Sequence, residues 1–215
     1  MTILHTLLNY LLHIDTYVIA ATHLLGAWTY VILFVIIFCE TGLIFAAFLP
    51  GDSLLFATGT LSATAPDTLN IHLLFVLLLT ASIIGNGVNY YIGKWLGPKL
   101  FCNESLLFNR KYINRAHAFY EMYGGKAIVI ARFIPIIRTF IPLIAGIGHM
   151  RYKSFFIFNC LGATLWIGGL LYGSYLFGNI PFVRLHFSAV IFGMIGLSIM
   201  PLIVELFRKT FYRTT

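Results

Sequence analysis

Two stretches of this chain, 71–93 and 154–178, contain no Asp, Glu, Lys or Arg. Each exceeds the ~20 apolar residues that carry a helix across a bilayer. A third apolar stretch, 187–207, runs up to Arg208 and Lys209. Segments like these confine the fold to one whose solvent is largely lipid. Composition removes the alternatives: the 215 residues are 60% hydrophobic and only 10% charged, with a mean hydropathy of +0.90, whereas an average soluble domain is about 25% charged. A soluble domain of this size exposes too much surface for so few charges to cover. Disorder, collagen, coiled coil and an ordinary soluble enzyme are excluded on these grounds. The expectation is an all-α integral membrane protein forming one membrane domain, 1–215.

The distribution of charge fixes the orientation. The sequence pI of about 9.4 would suit a nucleic-acid binder if the basic residues formed a patch, but they do not. Residues 1–93 hold four acids (Asp15, Glu40, Asp52, Asp67) and no Lys or Arg, a charge of −4. Residues 94–215 hold all 14 basic residues and three acids (Glu104, Glu121, Glu205), a charge of +11. Lys and Arg collect on the cytoplasmic side of membrane proteins, so the asymmetry reads as topology and no nucleic-acid partner is expected. The 94–126 loop, Arg151 with Lys153, and the C-terminal tail hold 11 of the 14 basic residues and are assigned to the cytoplasm. Asp67 and the 179–186 loop then lie outside. The start of the chain lacks a basic n-region, so no signal peptide is expected. Cys39, Cys102 and Cys160 have no CxxC spacing and read as incidental reduced thiols.

Between the spans the apolar segments are interrupted. Residues 1–28 are apolar but carry His5, His13, Asp15 and His23, which suits an interfacial or a spanning helix. Residues 29–64 run up to Pro50-Gly51-Asp52 and return through a piece of about 12 residues, too short to cross a ~30 Å core. Residues 127–149 contain Arg132, Pro135, Arg138 and Pro142, a content unsuited to a straight lipid-facing helix. Both segments read as re-entrant hairpins, broken at Pro50 and Gly51 in the first and at Pro135 and Pro142 in the second. The flanking charges make the first enter from outside and the second from the cytoplasm, the inverted arrangement of secondary transporters. Phe48-Leu49-Pro50 and Phe133-Ile134-Pro135, 85 residues apart, form a weak internal repeat.

Four charges stand out at membrane depth. Glu40 has no charged residue within eleven positions on either side, and an ionised carboxylate buried there needs a cation or a proton. Its plain structural reading is a hydrogen-bonding acid inside the bundle, but intramembrane acids default to function. Asp52 can cap the helix that follows it as well as act in a site. Arg132 and Arg138 are six apart, nearly opposite on a regular helix, and Pro135 between them can turn both into one cavity. Arginine keeps its charge, so each calls for an anionic partner. Two acids in one hairpin and two arginines in the other make a polar core; it is either a structural salt-bridge cluster or a site in which guanidinium groups chelate a lipid phosphate. Asn86, Asn89 and Tyr90, with Gly85, Gly87 and Gly93, put small and polar groups late in a span, a pattern of helix packing shared by Gly169-x-x-x-Gly173. The histidines lack metal spacing, and no metal or cofactor is expected.

Glu40-Thr41-Gly42, Phe48-Leu49-Pro50-Gly51-Asp52 and Arg132-Phe133-x-Pro135-x-x-Arg138, in that order, resemble the DedA family of bacterial inner-membrane proteins, whose wider relatives include lipid scramblases of the endoplasmic reticulum. The resemblance covers roughly residues 28–178. Gly85-Asn86-x-x-x-Tyr90-x-x-Gly93 is similar to the family's Gly-Asp-x-x-x-Tyr-x-x-Gly element, with Asn86, which cannot titrate, where Asp is common. The resemblance implies two opposed re-entrant hairpins and a multi-pass protein of the bacterial inner membrane. It also implies translocation of membrane lipid, with undecaprenyl phosphate recycling in some members and dependence on the proton motive force in others. Carried to matching positions, its functional charges are Glu40, Asp52, Arg132 and Arg138. The resulting expectation is a proton-motive-force-linked lipid transporter or flippase for a phosphate-bearing lipid, partnered by anionic lipid headgroups and protons, with homo-oligomerisation left open. The alternative is an assembly or stress-adaptation factor without transport. HExxH, GxSxG and GxGD signatures are absent, so an intramembrane lipid-modifying enzyme ranks below both.

Overall fold

The computed structural model describes residues 24–43, 51–64, 66–67, 69–100, 117–118, 120–178 and 180, and among them there is no β-strand. Six helices follow in order: α1 Trp28–Gly42, α2 Gly51–Thr64, α3 Ile71–Leu100, α4 Lys126–Ala131, α5 Pro135–Ile147 and α6 Tyr152–Gly178. The expected span 187–207, the Pro50 turn, most of the 94–126 loop, most of the 1–28 segment and the C-terminal tail lie outside the described residues.

Two helices are long and apolar enough to cross a membrane, Ile71–Trp95 and Tyr152–Gly178. The first belongs to an element that stays helical to Leu100, past the end expected at residue 93. A helix propagates at little cost once formed, and Lys94 can carry its charge outward on an apolar stem. Along α6, Ile157, Leu161 and Leu165 recur every four residues and are 58%, 53% and 57% exposed. On α3, Leu73, Val76 and Ile84 are likewise exposed, at spacings of three and eight. In water such stripes would forgo about 25 cal/mol for each Å² left uncovered; hydrocarbon removes that penalty.

Residues 127–149 form two short helices with a bend between them. α4 ends at Ala131 and α5 starts with Pro135 in its first turn. There the ring's fixed φ suits the helix and the missing N–H is not needed. Ile134, the residue before the proline, is extended (φ −119°, ψ 103°), as the proline ring requires. With 6 and 13 residues, the two helices measure about 9 and 20 Å, so neither crosses a ~30 Å core alone. Pro142, expected as a second break, instead lies inside α5. It removes one helical hydrogen bond, the one to the carbonyl of Arg138, at a cost of about 3 kcal/mol. Phe140, Ile141, Leu143 and Ile144 around it are all buried, at about 1.5–3 kcal/mol each, and their burial outweighs the loss. At the far end of α5, His149 takes a left-handed conformation (φ 51°). The N–H groups of His149 and Met150 then return to the carbonyls of Gly146 (3.1 Å) and Ala145 (3.0 Å), which closes the helix as a Schellman motif.

The chain divides into two compact units. Unit 1 comprises 1–29, 50–71 and 170–215. In it α2 meets the end of α6: Thr60 Oγ1 donates to the Ser174 carbonyl (3.3 Å), and a Cβ at Gly59 would overlap Ser174 and the Leu171 carbonyl. Thr58 and Ser62 donate to carbonyls one turn back in α2 (2.7 and 2.8 Å), which satisfies hydroxyls in apolar surroundings.

Unit 2 comprises 30–49 and 72–169. Its core joins Tyr90, Ile128, Phe140, Ile141, Leu143, Ile144 and Phe155 from α3, α4, α5 and α6. Two glycine contacts set its helix spacing. A Cβ on Gly85 would lie 2.8 Å from the Phe38 carbonyl of α1, and one on Gly146 would overlap the Tyr90 carbonyl of α3. The Gly-Asn-x-x-x-Tyr-x-x-Gly element is therefore the seam along which α3 meets its neighbours, with Gly93 against the Leu143 backbone and the Tyr90 hydroxyl donating to the Met150 carbonyl.

Candidate functional site

Unit 2 gathers Glu40 from α1, Arg132 from the bend after α4, and Arg138 and Thr139 from α5. With Thr41, Asn86 and Trp166 they line a cavity of about 10 Å³, room for a single water. The bend resolves the six-residue spacing of the arginines, since α4 stops where Arg132 begins. Arg132 is the C-cap of α4, an end where a cation is favoured by the helix dipole.

The two arginines are held differently. Arg138 pairs with Glu40, Nη2 donating to Oε1, and the two side chains are 9% and 0% exposed. Arg132 is 4% exposed, yet among the described residues no carboxylate lies within ion-pair distance of it. Its Nη1 donates to Ser82 Oγ (2.7 Å) and its Nη2 to Asn159 Oδ1 (2.6 Å). The Asn86 carboxamide completes the cage, its Oδ1 accepting from Nη2 (2.9 Å) while its amide donates to the Thr41 carbonyl (3.2 Å). The opposite orientation would donate to Asn159 Oδ1 (3.0 Å) but set the Asn86 oxygen against that carbonyl and its NH2 against the guanidinium, so the balance of the network assigns the amide. Asn159 Nδ2 donates in turn to the Ile83 carbonyl (3.0 Å). The expectation that each arginine meets an acid holds for Arg138 and fails for Arg132, because amides and a hydroxyl surround it. A Cβ at Gly162 would sit 3.0 Å from Arg132 Cδ, so this glycine makes room for the side chain.

Both guanidinium groups lie over one indole, Arg138 Cζ 5.1 Å and Arg132 Cζ 5.8 Å from the centre of the Trp166 ring. The quadrupole of the indole face attracts cations and uses none of their N–H donors. Among the described residues, the charged side chains that line the cavity are Glu40, Arg132 and Arg138.

Of the residues singled out from sequence, Glu40, Arg132, Arg138 and Asn86 meet here. Asn89, fully buried, donates to the carbonyls of Thr139 (2.8 Å) and Thr41 (3.4 Å) and so ties α5 to α1 beside the cavity. Tyr90 anchors the turn between α5 and α6. Asp52 belongs to unit 1, half-buried in the first turn of α2, where a negative charge favours the helix dipole. Gly51 opens the same helix. Four site residues escaped the sequence reading: Ser82, Thr139, Asn159 and Trp166. Trp166 carried a signal, since it falls midway along a span whereas membrane tryptophans favour the interfaces. Asn159 carried one too, as an amide within an apolar run.

The comparisons follow the same elements. The VTT domain family model matches residues 49–176. The chain is 46% identical to protein DedA of Escherichia coli K12, across 97% of this chain and 95% of that one. It is 40% identical to an uncharacterised membrane protein of Mycobacterium tuberculosis, across 80% of this chain and 75% of the relative. With the inner membrane protein YqjA of Escherichia coli K12 it shares 38% identity, across 71% and 69% of the two chains. No solved structure matches. Its helices are those of a membrane protein, its motifs run in the expected order, and its likeness to DedA extends over nearly the full length: the chain belongs to the DedA family of VTT-domain membrane proteins.

Proposed function

We propose that the chain is a proton-motive-force-linked transporter or flippase that moves a phosphate-bearing lipid, a phospholipid or undecaprenyl phosphate, across the bacterial inner membrane. The observation that carries this reading is the pair of buried guanidinium groups over the Trp166 face, Arg138 held by Glu40 and Arg132 caged by a hydroxyl and amides. A planar guanidinium matches phosphate oxygens bidentately.

In the cycle we infer, the Glu40 carboxylate holds Arg138 while the site is empty. Protonation of Glu40 releases Arg138, and the headgroup phosphate takes the carboxylate's place while its tails stay in the bilayer. A cavity with room for one water corresponds to the empty, closed stage. Asp52 takes up a second proton at the start of α2. The segments 29–64 and 127–149 act as re-entrant hairpins from opposite faces, with the 94–126 loop and the C-terminus cytoplasmic. The helical break at Arg132–Ile134 supports the second hairpin. The reading includes no catalytic step.

The test is translocation by the purified protein in liposomes, across a panel of phospholipids and undecaprenyl phosphate with and without an imposed proton gradient. Accelerated, gradient-dependent movement of a phosphate lipid is expected. No movement of any lipid would leave the family's assembly or stress-adaptation role in its place, and formation of a modified lipid would replace transport with an enzyme.

A further inference from the structure

The two membrane-length segments, Ile71–Trp95 of α3 and Tyr152–Gly178 of α6, meet at one end in a cluster of rings. The Tyr91 ring lies 6.2 Å from Trp95 and 5.3 Å from Tyr152, and Tyr152 lies 6.2 Å from Phe156. The outer rings are not core: Trp95 is 77% exposed, and Tyr91, Tyr152 and Phe156 are each about two-fifths exposed. They stand on a packed base, since Tyr90 and Phe155 beneath them are fully buried with ring centres 4.6 Å apart.

Three cations surround these rings. Lys94 follows Tyr91 by three residues and so shares its side of α3. Arg151 and Lys153 flank Tyr152, and all three basic side chains are exposed. Among the described residues none of the three has a carboxylate within ion-pair distance; the acid of the preceding segment, Glu121, lies against His117 (3.5 Å). Lys153 also heads the lipid-facing stripe of α6, because Ile157, Leu161 and Leu165 follow it at four-residue steps. From Lys153 to Leu165 the helix rises about 18 Å, close to the ~15 Å of one leaflet's share of a ~30 Å core.

We propose that this ring-and-cation cluster is a binding site for an anionic phospholipid: its phosphate sits among Lys94, Arg151 and Lys153, its glycerol region against Tyr91, Trp95 and Tyr152, and an acyl chain along Ile157, Leu161 and Leu165. Tyrosine and tryptophan rings favour the headgroup level of a bilayer, and basic residues there attract anionic lipid. An acidic soluble partner would satisfy the charges, but it has nothing to lay along an apolar stripe one leaflet long. The site lies apart from the cavity of Glu40 and the two arginines, and it holds lipid whether or not the protein moves any.

Brominated lipid tests this, because bromine on an acyl chain quenches a tryptophan that it touches. The full-length chain is reconstituted in phosphatidylcholine vesicles holding a graded fraction of dibrominated phosphatidylglycerol, or of dibrominated phosphatidylcholine as the reference. The signal of Trp95 is the difference between each preparation and its Trp95→Phe counterpart. A Lys or Arg at an anionic surface contributes a factor of roughly five, so half-quenching of Trp95 is expected at a fraction of phosphatidylglycerol about fivefold or more below that of phosphatidylcholine. The preference should fall to near one when Lys94→Gln, Arg151→Gln and Lys153→Gln are combined. In the unsubstituted chain it should fall likewise in 1 M salt, where screening acts within about 3 Å. Lys126→Gln, an exposed charge at the start of α4, should leave it intact. Equal quenching by the two lipids in the wild type would reduce the cluster to an aromatic girdle without selectivity and overturn the proposal. A preference that survives the triple substitution, or that Lys126→Gln abolishes as fully, overturns it too, by showing that these three cations do not make the site.

Discussion

Replacing Glu40 with Gln removes a buried carboxylate that lines the cavity and leaves Arg132 and Arg138 over the same indole. The Glu40 and Arg138 side chains are 0% and 9% exposed, so the pair is worth what buried pairs are worth. Two unit charges about 4 Å apart interact by about 4 kcal/mol at an effective dielectric near 20, within the ~3–5 kcal/mol that breaking a buried pair costs. The reverse change, Arg138→Gln, takes the paired guanidinium from a carboxylate that is 0% exposed and costs the same order. Each single change is therefore expected to cost about 3–5 kcal/mol. The double neutral variant approaches wild-type stability, since replacing a whole pair is often near neutral. Function follows a different order: each single variant and the double variant lose lipid translocation, because the proton carrier or the phosphate ligand is missing in all three. Stability is read from unfolding in detergent and transport from liposomes of the same preparations. Recovery of transport in the double variant would make these charges purely structural and refute the reasoning, as would single variants as stable as the wild type.

Trp166→Leu removes the face shared by both guanidinium groups and should cost about 1–4 kcal/mol, two cation–π contacts at about 0.5–2 each; Trp166→Phe should lie between it and the wild type in unfolding and translocation alike. Gly146→Ala would drive a Cβ into the Tyr90 carbonyl and force α3 and α5 apart, with an expected loss of at least about 1–3 kcal/mol in the same unfolding assay. Cysteines introduced at positions 67 and 183 should react with an impermeant thiol reagent on intact cells, and those at 112 and 211 should not; labelling at 112 from outside overturns the assigned orientation.

Membrane character, the helical class and the two spans at 71–93 and 154–178 were determined by the sequence alone, because lipid leaves a chain this apolar few ways to satisfy its backbone. The break before Pro135 was equally legible, since a proline constrains its own residue and the one before it. Glu40, Arg132 and Arg138 announced themselves as charges at membrane depth, where charge is too costly to be casual. Tertiary packing decided the rest. It carried α5 through Pro142, where burial of the neighbouring side chains outweighs one lost hydrogen bond. It also chose the partners: Glu40 with Arg138, and Arg132 with Ser82, Asn86 and Asn159. Spacing along one helix says which residues share a face, but which faces meet depends on where Gly85, Gly93 and Gly146 let backbones approach. The pairing of Glu40 with Arg138 is a property of that meeting, and so is the place of Trp166 beneath both arginines, 28 residues beyond Arg138 in the chain.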